Sequence, residues 1–340
     1  MSQHKFILHS LDDIQTWKDP EWLIKDILPL NSFSEIIGKW ESGKTFVVLD
    51  WALSVATGRA WGGKYPVKQG GVLYVFGEGK PGVKQRVNAW FDHYGVSRRG
   101  VPFRAVDLPL QLAKLDDVNR FTEDVDAQMV EGDIKLIIFD TLARSLAGVN
   151  EDSAEDMSLV VNSLDYLRRG YDCTVLTVHH TGHHNSKRGR GSSVIPAAID
   201  TSILCEKKPD SRIVKISCQK IKDADRFDDF AVTLMDSRDK TPEGKPLTLV
   251  AELGGRVPVE DPADILSRSP NQQKLLTFVV KERQLSGISY NGLRSREIVK
   301  DGSFHVTITK LEEIGLLKKL GHLYFPSDEA IQIVENKGFN

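Results

Sequence analysis

From about residue 34 to 235 the chain alternates short runs that are apolar throughout with longer stretches whose apolar positions recur at helical spacing. The runs are SEIIG (34–38), GVLYVFG (71–77), KLIIFDT (135–141) and CTVLTVHH (173–180). Strands without a polar face need cover on both sides, which predicts a mainly parallel sheet between helices such as TFVVLDWALSVATG and SAEDMSLVVNSLDYLRRG. After residue 200 the pattern changes. TSILCEK, RIVKISCQK and FAVTLMD follow one another with turn residues between them and no room for crossover helices, so they are expected as an antiparallel extension of the same sheet. Residues 236–264 are rich in charge, Pro and Gly and read as loop and linker. The helical period returns in NQQKLLTFVVKERQL, RSREIVKD and FHVTITKLEEIGLL, and KKLGHLYF closes as a hairpin turning at Gly321. That order is the order of a winged helix-turn-helix. The division expected is an N-terminal arm (1–33), an α/β domain (34–240), a linker (241–264) and a winged-helix domain (265–340).

Composition changes this picture in one place. A length of 340 residues suits two domains, and 40% apolar with 27% charged content is ordinary for a globular chain. The net charge of −2 hides a local imbalance: residues 265–325 hold ten Lys or Arg against five Asp or Glu. No apolar stretch approaches the ~20 residues a membrane span needs, and the first residues lack the apolar core of a signal peptide. Three scattered cysteines give no disulfide framework, so a cytoplasmic location is expected, with membrane and disulfide-scaffold functions set aside.

The chemistry begins at GKWESGKT (38–45), which fits G-x-x-x-x-G-K-[ST] between an expected strand and an expected helix. Gly38 and Gly43 let the backbone curl so that its N–H groups face phosphates, at the positive end of the following helix. Lys44 can reach the β- and γ-phosphates, the Thr45 hydroxyl can bind Mg²⁺, and Phe46 completes the nucleotide contacts. ATP and Mg²⁺ are the cofactors implied. Such a loop needs an acidic residue at the tip of a neighbouring strand to complete the magnesium shell, and KLIIFDT supplies Asp140. Glu78, between two glycines at the end of VLYVFG, sits where a general base for water would.

VLTVHHTGHH (175–184) places His179, His180, His183 and His184 in six positions. A zinc site would need four ligands converging tetrahedrally, yet no C-x₂-C accompanies them, and Cys205 and Cys218 lie within apolar runs.

These motifs resemble a known family. SEIIGKWESGKTFVVLDWALSVATGRAWGG, then GGVLYVFGEG with Arg86 downstream, IIFDTLARSLAGVNEDSAEDM, and VLTVHHTGHH with RGRGSSVIPAAIDTSIL are similar, in order, to the RecA-like P-loop ATPase core of RepA hexameric replicative helicases, AAA-type relatives of DnaB. The resemblance covers about residues 20 to 235. It implies His180, with His179 beside it, as a γ-phosphate sensor at a strand tip. It implies that the following loop, with Lys187, Arg188 and Arg190, lines a central channel and touches single-stranded DNA; a solvated loop, or a structural Arg190, is the alternative. DnaB-like proteins carry a Lys-x-Arg pair that reaches the neighbouring subunit's γ-phosphate, and this chain has Lys220 and Lys222 there instead. Arg226 or Arg212 is the other candidate for that role. In the winged helix, Arg294, Arg296, Lys310, Lys318 and Lys319 are candidates for phosphate contact with DNA, a protein partner being the rival.

The expectation is therefore an α/β RecA-like P-loop core with a C-terminal winged helix, acting as a ring-forming, hexameric DNA helicase driven by Mg·ATP. The alternative is an ATP-switched DNA-binding or annealing protein, and a small-molecule phosphotransferase ranks last.

Overall fold

The computed structural model describes residues 8–17, 19–77, 79–129, 133–182, 189–257, 262, 266, 269–282 and 287–337. The chain divides into two compact units, residues 1–258 and 259–340.

The first unit opens with a short helix, α1 (Leu11–Gln15), and a hairpin, β1 (Trp22–Ile24) with β2 (Leu28–Pro29). Then β3 (Phe33–Gly38) leads into α2 (Lys44–Thr57), β4 (Gly71–Phe76) into α3 (Lys80–Tyr94), and β5 (Phe103–Val106) into α4 (Leu115–Gln128). Next come β6 (Ile134–Asp140), α5 (Ala154–Tyr171), β7 (Thr174–His180), α6 (Val194–Ala198) and β8 (Thr201–Lys207). The unit ends with β9 (Ile213–Ile221), β10 (Phe230–Asp236) and β11 (Leu249–Leu253). Among the described residues nine strands form one sheet in the order β11-β10-β9-β8-β3-β7-β6-β4-β5. The six from β8 to β5 pair in parallel, and β9, β10 and β11 extend them antiparallel.

Three expectations are corrected here. TSILCEK (β8) pairs in parallel with β3 and is not part of the antiparallel extension, because the segment holding α6 is long enough to carry the chain past β3. The expected arm 1–33 is partly core: Leu23, Ile24, Ile27 and Leu28 are fully buried in the cluster that includes α2, where leaving the apolar side chains of this hairpin in water would cost more than packing them. The expected linker 241–264 contains β11, whose Val250 and Ala251 complete the core on that edge.

The sheet has a core on each face, and strand parity assigns side chains to them. Val72, Tyr74 and Phe76 of β4, Leu136 and Ile138 of β6, and Leu176 and Val178 of β7 pack on the α2 side. Leu73, Val75, Ile137, Phe139 and Val175 pack on the side of α4 and α5. Helix α2 is buried nearly all round, as a helix between sheet and further helices must be, and Gly58 at positive φ ends it.

The second unit contains α7 (Pro270–Lys281), β12 (Ile288–Ser289), α8 (Tyr290–Arg294), α9 (Asp301–Glu313), β13 (Leu317–Leu320), β14 (Leu323–Pro326) and α10 (Asp328–Lys337). Its sheet order is β12-β14-β13, and Leu275, Leu276, Val279, Phe304, Ile308, Leu311 and Tyr324 form its own core. The helix expected around RSREIVKD lies earlier in the chain. The Ser289 hydroxyl accepts from Gly292 N–H and starts α8 at Tyr290, while Glu297 at φ +49° interrupts any continuation. The basic balance also shrinks. Across residues 259–340 eleven Lys or Arg meet eleven Asp or Glu, because Glu260, Asp261 and Asp264 before the counted stretch and Asp328, Glu329 and Glu335 after it belong to the same unit.

Candidate functional site

The phosphate loop lies between β3 and α2, at the end of the sheet where the parallel strands finish. Gly38 is obligatory: a Cβ there would run into the Cys205 carbonyl of β8 and the Ser42 hydroxyl. Gly43 sits at φ +89°, and its Cβ would meet Val214 at 2.8 Å. No side chain caps α2, so its first-turn amides face the loop, an arrangement suited to an anion.

Lys44 is 5% exposed and its Nζ donates to the carbonyls of Gly38 (2.8 Å) and Lys39 (2.6 Å) and to the Ser42 hydroxyl (3.3 Å). Burial lowers its pKa, with Asp140 among the groups opposing. The same Nζ lies 3.4 Å from His180 Nδ1. Thr45, the next residue, donates its hydroxyl to Asp140 Oδ1 at 3.2 Å. Tyr74, fully buried in β4, donates its hydroxyl to Asp140 Oδ2 at 2.5 Å. Strand parity explains the gathering: Tyr74, Asp140 and His180 share the α2 face with Ile138 and Val178. A carboxylate and a hydroxyl side by side are hard oxygen donors, the set that fits Mg²⁺.

The adjacent cleft has a volume of about 660 Å³ and is lined by Trp40, Phe46, Arg86, Arg212, Leu234 and Leu249 together with the loop and His180. Arg86 stacks over the Phe46 ring at 5.3 Å, and Arg212 pairs with Asp236 at 3.0 Å. Tyr74, Trp40 and Lys207 escaped the sequence reading. Tyr74 carried a signal nonetheless, since a tyrosine inside a buried strand must find a partner for its hydroxyl.

The two histidines separate sharply. His180 is half-buried in the cleft, its pKa lowered by desolvation and then by Lys44 and Arg190. His179 points to the other face, 3% exposed, with no partner for either nitrogen among the described residues. Burial lowers its pKa to about 4, so it is neutral. His183, His184, Lys187, Arg188 and Glu78 lie outside the described residues.

Beyond them Thr181 bridges to Gly189, and Arg190 N–H donates to the His180 carbonyl at 3.0 Å. The Arg190 guanidinium grips Glu151 with two bonds of 2.6 and 2.7 Å. Arg190, one of the residues expected to touch DNA, is thus paired with a carboxylate of its own chain. Lys220 and Lys222 lie at the C-terminal end of β9: Lys220 pairs with Ser202, three residues and roughly 10 Å along β8 from Cys205, whose carbonyl abuts Gly38, at about 3.3 Å per residue. Lys220 donates to the Pro196 carbonyl at 3.2 Å and Lys222 pairs with Asp200 at 3.5 Å. Arg226 is exposed between β9 and β10. In the second unit Arg296 lies over Phe278, Lys310 pairs with Glu313 at 3.0 Å, and Arg294, Lys318 and Lys319 are exposed.

A phosphate loop feeding α2, a strand-tip aspartate and a sheet in this order define a P-loop ATPase with a RecA-like core. A family profile described as AAA domain matches residues 7–186, and the chain belongs to that family. Among solved structures the RadB recombinase is similar, with a TM-score of 0.45 and 14% identity over 60% of this chain and 87% of that one. No curated protein matches the chain. Among the described residues, no helix is long and apolar enough to cross a membrane.

Proposed function

We propose that this protein hydrolyses Mg·ATP to drive movement along single-stranded DNA as a ring, a RepA-like replicative helicase. The observation carrying the proposal is the convergence of Lys44, Thr45, Asp140 and His180 on one loop, with the ends of the 181–191 segment hung on His180 itself. Thr45 and Asp140 would hold Mg²⁺, which when bound would draw charge from the phosphates. The Lys44 ammonium exchanges its carbonyl partners for phosphate oxygens, a stronger, charge-assisted contact. His180, neutral near pH 7, keeps an N–H donor for a terminal phosphate oxygen. Glu78 takes the proton of the attacking water. Because the His180 carbonyl holds Arg190 N–H, displacement of His180 moves the loop that carries Lys187 and Arg188 to DNA. Lys220 and Lys222 or Arg226 would reach a neighbouring subunit's nucleotide in a hexamer. The second unit reads as a winged helix, with His305, Val306 and Lys310 exposed on α9 for duplex DNA or a replication protein.

One observation favours a second reading, an ATP-switched DNA-binding protein. Lysines that cannot form a bidentate contact stand where DnaB-like motors have Lys-x-Arg, and both already hold partners within their own chain. Hydrolysis measured with and without single-stranded DNA, beside Lys44→Ala and Glu78→Gln, separates the two. Strong stimulation lost in both variants supports the motor, whereas slow turnover indifferent to DNA supports the switch.

A further inference from the structure

Trp40 occupies a variable position of the phosphate loop and is 75% exposed, an unfavourable setting for the largest apolar side chain. It nevertheless has an aromatic partner. Its indole lies flat on the His180 imidazole, with ring centroids 4.5 Å apart and an interplanar angle of 6°. The two rings come from adjacent parallel strands in register: Gly38 pairs with His180, and Thr181 N–H donates to the Gly38 carbonyl at 3.3 Å. The loop that cradles phosphate and the strand tip that senses it are therefore joined by backbone pairing and by a side-chain stack.

We propose that Trp40 is a positioning residue that sets the plane of His180 and so fixes discrimination between nucleoside triphosphate and diphosphate; this rests on His180 contacting the terminal phosphate. Two other groups touch the imidazole. Lys44 Nζ is 3.4 Å from Nδ1, and the Gly38 backbone meets one edge. Once phosphate draws Lys44 away, an edge contact leaves the ring free to rotate about that contact. The stack removes this freedom. A ring held in one plane meets the third phosphate without first losing rotamer entropy, and a diphosphate gains nothing from it. Trp40 thus acts on the triphosphate alone, through His180.

Calorimetric titration of the full chain with ATPγS and with ADP, both with Mg²⁺, tests this in wild type, Trp40→Ala, Trp40→Phe, His180→Ala and the Trp40→Ala/His180→Ala double variant. The ADP-to-ATPγS ratio of Kd values should fall about three- to fivefold in Trp40→Ala, the size of one side chain's rotamer entropy, and stay within about twofold in Trp40→Phe. Trp40→Ala should then change nothing further on the His180→Ala background. Equal weakening of both nucleotides, or effects that multiply in the double variant, would overturn the proposal and make Trp40 a nucleobase platform. The stack has its own readout without nucleotide. The His180 ring-proton resonances should be shifted upfield by the indole and return in Trp40→Ala. Their absence overturns the proposal whatever binds. Upfield resonances in a protein that binds neither nucleotide would instead overturn the ATPase reading beneath it.

Discussion

Two aspartates are buried to nearly the same depth, Asp50 at 1% exposed and Asp140 at 4%, yet one is structural and the other belongs to the site. Asp50, in the middle of α2, accepts from Trp61 Nε1 at 2.7 Å and Trp90 Nε1 at 2.6 Å. Desolvation raises its pKa to about 7 even though both indoles and Arg59 favour its charge. Asp140 stands at a strand tip, beside a hydroxyl, a lysine and an open cleft. Depth and a perturbed pKa therefore do not mark the site in this protein. What marks it is the open cleft lined by Lys44, Thr45 and His180, whereas Asp50 lies between two buried indoles.

That contrast can be broken, and the largest effect should fall on catalysis. Asp140→Asn should lower ATP turnover by about a hundredfold or more while the melting temperature moves little, because the amide keeps the shape and loses the charge for magnesium. Lys44→Ala should remove nucleotide affinity in calorimetry with the fold retained. If either variant unfolds at low temperature, the division between the aspartates fails.

Asp50→Ala should do the reverse. It leaves two buried indole N–H groups without acceptors, a loss of about 3 kcal/mol or more in chemical denaturation, with any residual folded fraction still able to bind nucleotide. The pH dependence sharpens the point. An unfolded aspartate titrates near 3.9 and the folded Asp50 near 7, so the folded chain holds the extra proton between those values, and this group's stabilisation is lost as pH rises from about 4 to about 7. His179 runs the other way: its folded pKa of about 4 lies below the unfolded 6.5, so stability is lost as pH falls through that window. The two slopes oppose each other. Asp50→Asn, which keeps a carbonyl acceptor, should leave only the His179 slope, seen as urea midpoints rising from pH 4 to 6.5.

The smallest effect belongs to Tyr74→Phe. Removing the hydroxyl takes one hydrogen-bond donor from Asp140, and the Mg²⁺ concentration for half-maximal turnover should rise several-fold with ADP affinity in EDTA unchanged. An unchanged magnesium requirement would show that Thr45 and the strand alone orient the carboxylate.

Much of this was legible in the residues. GKWESGKT and KLIIFDT named Gly38, Gly43, Lys44, Thr45 and Asp140 as a group, and the structure brings the last three within contact of one another or of His180. Parity along KLIIFD and VLTVHH also separates His180 from His179 once Asp140 is taken to face α2. The partner of the Tyr74 hydroxyl, the Trp40 stack and the Arg190 grip on Glu151 were not legible, since each joins segments from 39 to 140 residues apart.

The sequence by itself determined the central strands from β3 to β10 apart from β5, the loop chemistry and the existence of a second unit. Those depend on local properties: apolar period, glycine at forced φ, and the charge and reach of single side chains. Tertiary structure alone decided that β8 runs parallel to β3, that residues 22–29 and β11 belong to the core, and which cations are held by carboxylates. The reason is physical. Pairing direction, burial at an edge and the partner of a charge depend on which distant segment arrives alongside, and no local pattern encodes that arrival.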